Sequence, residues 1–509
     1  MKTRNLFLSL FAFAAVCACN KEADPVGPEV LGEDAYLTVR INATGTATKG
    51  LDGGYVDGEN VENDVKNVLL AFYTSAGDYM YVKEFKDLNK FTFTDGTYDP
   101  NVESQSDIKV VLEGTSITPR KMLAILNYDD AMKTSIEGAT TLGAAQALLN
   151  SNFKVGENFV ITNSSYWANG GNACASQIQD ANIVKQGSSP VPVNVYVERV
   201  AAKVSATSPA SYDPSWEKSV ALTNGKTLNY WPEVTGYALA SEAPQSYLFK
   251  KISDYNFSTW TDNQWNDPTN VRSYWADSYE DGTYTSIAYT AINTAPSTAM
   301  YCHENTTTEA DDRTKLMVAV TVKGYYEGEG DRLSATPINV VQYGGSMYTM
   351  EDFLNMVVTK LEGQTWNNSG TPAAFTKDQL SIVTTGENTK QNDYKSKVVL
   401  GDGVTANNSS EVENILAAYN DLLCWKGGKA YFFTDIEHFG TDENVNDYGV
   451  VRNHAYRIAI NKVAGMGTPV IDENKIINPT KPETVEYVLS AQINILKWKI
   501  VTQEVDLEW

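Results

Sequence analysis

Cysteine, histidine and basic charge are all scarce in this chain of 509 residues, and each scarcity removes a class of function. There are five cysteines and three histidines. His303, His438 and His454 lie in no nucleophile or zinc motif such as HExxH, so a Ser/His/Asp or zinc site is poorly supported. The cysteines are widely spaced and form no CxxC, which argues against a structural metal. Asp442, Asn444 and Asn446 alternate as calcium ligands do, but the glycine and final glutamate of an EF-hand are missing, and a solvated loop is expected. Lys+Arg number 40 against 63 Asp+Glu, a formal net charge of −23. Nucleic acid and anionic membrane faces both attract basic excess, so neither is an expected partner. The charge reads instead as solubility at high local concentration. Beyond the N-terminus no segment offers the roughly 18 apolar residues of a membrane helix. No repeat of about 20–50 residues stands out, which argues against solenoids and propellers.

What is present begins with a secretion signal. Lys2 and Arg4 precede the apolar run Leu6–Val16, too short to span a bilayer, and Val16-Cys17-Ala18-Cys19 forms a small-residue cleavage site. With the polar tether Asn20–Leu31 behind it, this resembles a bacterial lipoprotein signal, with Cys19 acylated after cleavage. Cys174, Cys302 and Cys424 then remain. They allow at most one intrachain disulfide and read as buried small hydrophobes.

Both ends of the remaining chain look like strands. Ala35, Leu37, Val39 and Ile41 alternate with polar residues, the pattern of a half-buried strand. That strand runs into a Gly-rich stretch, Gly45–Gly54, with one basic residue, Lys49, at its middle. At the far end Val501, Val505, Leu507 and Trp509 alternate with Thr502, Glu504, Asp506 and Glu508. A chain that can shed its first strand and carries a free last one reads as built to polymerise.

Between these ends the chain divides into residues 1–18 (signal peptide), 19–49 (a propeptide with the removable strand), 50–207 and 208–509. In the first domain Val65–Tyr73, Tyr79–Phe85, Ile108–Leu112 and Lys121–Asn127 read as strands and Glu137–Asn150 as a helix. Val191 to Val197 alternate in one phase and Val200 to Val204 in the other, which predicts a β-bulge at Glu198-Arg199. In the second domain Asp254–Met300 is loop-like. Strands are expected at Lys315–Tyr326, Lys429–Phe433, Val450–Lys462, Glu483–Ile495 and about 496–509. A capping box at Ser410–Glu413 predicts an amphipathic helix whose buried face runs from Val412 to Leu423. The chain is therefore mainly β, in tandem sandwiches with a few helices.

Several segments in order resemble the Bacteroidales fimbrillin family, the shaft subunits also called type V pilins. They are the Cys19 signal, the Ala35–Asn42 strand before a basic residue, Val197–Val204 and Glu304-Asn305-Thr306. Tyr448–Ile458 (YGVVRNHAYRI), Gly465–Pro469 and Ile493–Lys499 complete the set. The resemblance implies two tandem transthyretin-like β-sandwich domains in an outer-membrane lipoprotein precursor. It further implies cleavage by a trypsin-like protease after Lys49, leaving Gly50 at the new N-terminus. Polymerisation with copies of itself or related fimbrial subunits follows, the last strand of one subunit filling the groove left in another. The product is an extracellular fimbrium. Arg40 is the other basic candidate for the cut. Arg452 and the Glu198-Arg199 pair read as structural ion-pair or turn residues, and no catalytic residue, cofactor or metal is expected. A second reading of the same chain is a monomeric surface lipoprotein or tip adhesin that binds glycans or host ligands.

Overall fold

The computed structural model describes residues 35–43, 59–86, 94–95, 104–112, 117–168, 171–185, 191–207, 214–252, 261–262, 270–273, 275–385, 391–392, 394–438, 447–477, 479, 491–494 and 499–508. Two β units follow one another, as the alternating patterns require. In the first, a ten-stranded sheet runs in the order Tyr79–Phe85, Val68–Tyr73, Lys121–Leu126, Ile161–Asn163, Val193–Arg199, Ala35–Ala43, Ser104–Val111 and Thr94–Asp95, with two short strands off this path. Val68–Tyr73 and Met122–Leu126 are unbroken buried runs because both of their faces are covered. Leu70, Phe72, Met122 and Ala124 join an inner core with Leu37, Val39, Ile108 and Val195. Leu69, Ala71, Leu123 and Ile125 face an outer layer with Met132, Ile136 and Ala145.

That outer layer holds two short helices, Asp130–Gly138 and Leu142–Gln146, rather than one over Glu137–Asn150. Asp129 and Thr141 cap them by accepting from the amides of Met132 and Ala144, so each helix starts at its own side-chain cap.

The expected bulge at Glu198-Arg199 is instead a crossing between the two units. Val193, Val195 and Val197 face the first core, while Ala202, Val204 and Ala206 face the second. The phase changes because the strand leaves one sheet at Arg199 and re-enters another at Ala202. Ala202–Thr207 therefore belongs to the second unit, and the boundary lies near Val200, not after residue 207.

The second unit is a sandwich of two sheets. One has the order Met300–Cys302, Ala202–Thr207, His454–Ala464, Lys499–Glu508, Ala491–Asn494. The other contains Lys218–Ala221, Thr227–Ala240, Lys315–Tyr326, Lys429–Asp435 and Thr468–Pro469. Val204, Tyr456 and Ile458 from the first meet Leu239, Val318, Val320 and Phe432 from the second in one core. Between Lys315–Tyr326 and its neighbour Lys429–Asp435 the chain inserts a module with its own core around Phe353, Val357, Val412 and Leu416. The module carries the helices Met350–Lys360, capped by Thr349, and Ser409–Leu416. The second is capped by Asn408 rather than Ser410, and Leu423 lies on a strand, not on its buried face.

Two other expectations change. Val450 makes an isolated bridge to Asn305 and Arg452-Asn453 is a turn, with Asn453 at φ 55°, so the strand begins only at His454. Asn270–Ser273, inside the stretch read as loop, pairs with Tyr166–Ala168 of the first unit. Of Glu483–Ile495, the described part is the strand Ala491–Asn494. Cys174, Cys302 and Cys424 are buried free thiols.

The module's return to the sandwich depends on one glycine. Gly428 has φ +65°, its amide donates to the Ile338 carbonyl at 2.8 Å, and a Cβ there would sit 2.2 Å from the Val322 carbonyl oxygen. Gly428→Ala is expected to cost more than about 2 kcal/mol, read as a lowered Tm in thermal denaturation.

Candidate functional site

The first strand, Ala35–Ala43, is an interior strand. It pairs antiparallel with Ser104–Val111 from Tyr36↔Val111 to Ala43↔Ser104, and parallel with Val193–Val197 from Val39↔Val193 to Ala43↔Val197. Ile183–Lys185 covers its beginning. Leu37 and Val39 are fully buried, each stabilising the core by about 1.5–3 kcal/mol. Neighbouring strands stand about 4.8 Å apart, so losing this one would leave its two neighbours nearly 10 Å apart with facing amides and carbonyls unpaired. Arg40, in mid-strand, donates two hydrogen bonds to the Asp107 carboxylate, at 2.7 and 2.9 Å. Of the other expected removable positions, Ala35 and Ile41 lie on the same strand.

The first strand ends beside the junction of the two units, and there the recognised motifs converge. Glu198 and Lys250, both with wholly buried side chains, pair at 3.1 Å. Arg452 and Glu304, also wholly buried, are joined by Nε–H to Oε2 at 2.8 Å and by a second hydrogen bond between Nη2 and Oε1. Arg452 also donates to the backbone carbonyls of Leu248 and Tyr247. Asn453 is needed in a left-handed turn so that its amide reaches the Ala201 carbonyl at 2.7 Å, and its side chain accepts from Arg199. His454 Nδ1 lies 2.8 Å from the Arg452 carbonyl, and His438 Nδ1 lies 2.7 Å from the Tyr456 hydroxyl. The Asn305 amide group donates to the carbonyls of Ser241 and Asp312.

A short helix, Asn60–Asn63, is fastened to this junction. Lys203 donates to Glu62 at 2.7 Å, Tyr301 donates to the same carboxylate, and Arg199 donates to the Glu62 carbonyl and the Asn63 side chain. Burial opposes the Glu62 carboxylate, but the bonds from Lys203 and Tyr301 outweigh it and hold its pKa below the ordinary value. Sequence reasoning assigned nothing to Glu62, Lys250 or His438. Lys250 carries no local signature because its partner lies far along the chain, whereas Glu62 also accepts from the Glu59 amide three residues before it.

Burial lowers the His303 pKa to about 4, with its Nδ1 3.0 Å from the Ser246 hydroxyl, so the ring is neutral near pH 7. Burial also raises the Cys174 thiol to about 11 and Cys424 to about 12, the opposite of an activated nucleophile. Among the described residues no group of three or more His, Cys, Asp or Glu could hold a metal, and no helix is long and apolar enough to cross a membrane.

The last strand, Lys499–Glu508, is not free within a single chain. It lies between His454–Ala464, to which it is parallel, and Ala491–Asn494, to which it is antiparallel. The first strand likewise has one parallel and one antiparallel neighbour. Val501, Val505 and Leu507 lie on this last strand. Cys19, Lys49, Gly50, Trp509 and the Asp442–Asn446 loop lie outside the described residues.

Residues 424–504, which include the Tyr448–Ile458 motif and most of the last strand, match the family model described as Major fimbrial subunit protein type IV, Fimbrillin, C-terminal. Through this region the chain is similar to the fimbrillin family. No curated protein matches it. Among solved structures, a fimbrilin from Porphyromonas gingivalis W83 is 11% identical, with 92% of this chain and 97% of that one covered and a TM-score of 0.33. A fimbrial assembly protein from Parabacteroides distasonis is 16% identical over 58% and 86%, with a TM-score of 0.32. The tip fimbrial protein of Porphyromonas gingivalis, with a C-terminal truncation, is 12% identical over 73% and 99%, with a TM-score of 0.27.

The junction yields two testable outcomes. Arg452→Met strands the Glu304 carboxylate in the interior and should cost about 3–5 kcal/mol, read as a lowered Tm. Glu437 is raised from 4.5 to about 7 by burial and then by Asp447 and Asp435. Between those values the fold holds more protons than the unfolded chain, so this group's contribution is full below pH 4.5 and is lost as pH rises through 7. Glu437→Gln should therefore raise Tm by a few degrees at pH 8 and leave it unchanged at pH 4.

Proposed function

We propose that this fimbrillin is a subunit of an extracellular fimbrium. It is exported as an outer-membrane lipoprotein held through Cys19, cut after Lys49 by a trypsin-like protease, and polymerised by strand exchange. The observation that carries the reading is the interior position of the first strand. It enters the sheet from the N-terminal side and is joined to the rest of the fold only through residues 44–58. A cut in that segment frees it, while the new N-terminal end stays fastened by Glu62 and Asn63. Cleavage at Arg40 is disfavoured because the strand is paired on both sides there, and a protease needs an unpaired extended chain.

The emptied slot offers one strand edge that takes a parallel partner and one that takes an antiparallel partner. Lys499–Glu508 already meets that combination at home, so its backbone polarity suits the slot of another subunit. Donor and acceptor are different surfaces, so the contact is head-to-tail and yields a filament when it does not close. The docked state of the last strand favours the alternative, a monomeric surface lipoprotein or tip adhesin, until something draws that strand out.

Brief trypsin treatment of the chain starting at Asn20 tests the two readings. The fimbrial reading expects a Gly50 terminus and an SDS-resistant ladder on an unboiled gel, lost when the chain stops at Ile500. Cleavage without a ladder in the full chain leaves the monomeric reading.

A further inference from the structure

The slot's rim carries a charge pattern that the last strand of this chain does not match. In the register of the pairing, Tyr36, Thr38, Arg40 and Asn42 lie opposite Val111, Lys109, Asp107 and Gln105 of the antiparallel neighbour. Asp107 and Lys109 are both exposed, and Asp107 is 43% accessible even with Arg40 bound to it. From the other side Arg40 faces Asn194, an uncharged residue. When the first strand leaves, Asp107 loses both hydrogen bonds from Arg40, and the incoming strand decides what replaces them.

Resting on the strand-exchange reading, we propose that Asp107 is a specificity residue of the slot, and that the strand it favours carries Lys or Arg at the place of Arg40. In any register that turns Val501, Val505 and Leu507 inward, the last strand of this chain presents Thr502, Glu504, Asp506 or Glu508 outward. None is a cation. Lys109 welcomes an acid at the place of Thr38, but the alternation then brings the next acid onto Asp107. A same-direction register that puts Thr502 there would bury Lys499 at the place of Leu37. Like charges directly across a strand pair destabilise it and opposite charges support it. The preferred donor is therefore a related subunit with a basic residue on the outer face of its last strand, and this chain sits most stably next to a different subunit type.

Binding of synthetic strands to the chain processed at Lys49 tests this. The probes are the 497–509 peptide of this chain and three versions in which Glu504, Asp506 or Glu508 is replaced by Lys. At low ionic strength one of the three should bind about three- to tenfold more tightly than the native peptide. The difference should shrink in 0.5 M NaCl. Asp107→Lys should reverse it, tightening the native peptide by a similar factor, and Asp107→Asn should erase most of it. A native peptide that binds at least as well as every Lys version, or that is indifferent to Asp107→Lys, overturns the proposal while leaving strand exchange intact. Failure of every peptide to bind removes the slot reading, and the proposal with it.

Discussion

The four residues Glu198–Ala201 tie the molecule together. They form the crossing between its two units, and all four are buried. A buried crossing that carries a carboxylate and a guanidinium must supply a partner for each. Lys250 answers Glu198, while Asn453 and the Glu62–Asn63 turn answer Arg199. Asn453 can do so only from a left-handed turn, and that turn places Arg452 against Glu304 and starts the strand His454–Ala464. On that strand the last strand lies. One local demand for polar partners thus fixes how the units dock and where the chain's final element begins.

The same constraint bears on the proposed loss of the first strand. Its pairing with Val193–Val197 ends at Ala43↔Val197, one residue short of Glu198. The second unit has an analogous arrangement: its own first strand, Ala202–Thr207, also lies parallel to a late strand and antiparallel to another. There the first strand is covalently bound at both ends within the fold.

Much of this was legible in the sequence. Period-two alternation identified the first strand because one of its faces meets a core. The phase change at Val197–Val204 was visible too, but its meaning was not, since a bulge and a crossing between sheets produce the same slip. Motif resemblance singled out Arg452, Asn453 and Glu198-Arg199, whereas Glu62 and Lys250 stayed silent because their roles come from contacts more than 50 residues away. The helix Met350–Lys360 carried a signal that could have been read: Thr349 three residues before Asp352, then Phe353 and Val357 on one face. The last strand shows the opposite limit. Its alternation predicts a strand but cannot say which sheet it joins, and within one chain it joins its own.

The central claim is that the space between Ser104–Val111 and Val193–Val197 is filled, emptied and filled again. Hydrogen–deuterium exchange of the amides on those two strands, followed in the uncut chain, the processed monomer and the assembled filament, tests it most directly. The account predicts protection, then fast exchange, then protection restored. Amides that stay protected in the processed monomer would mean that no open slot forms, and strand exchange at this site would be contradicted.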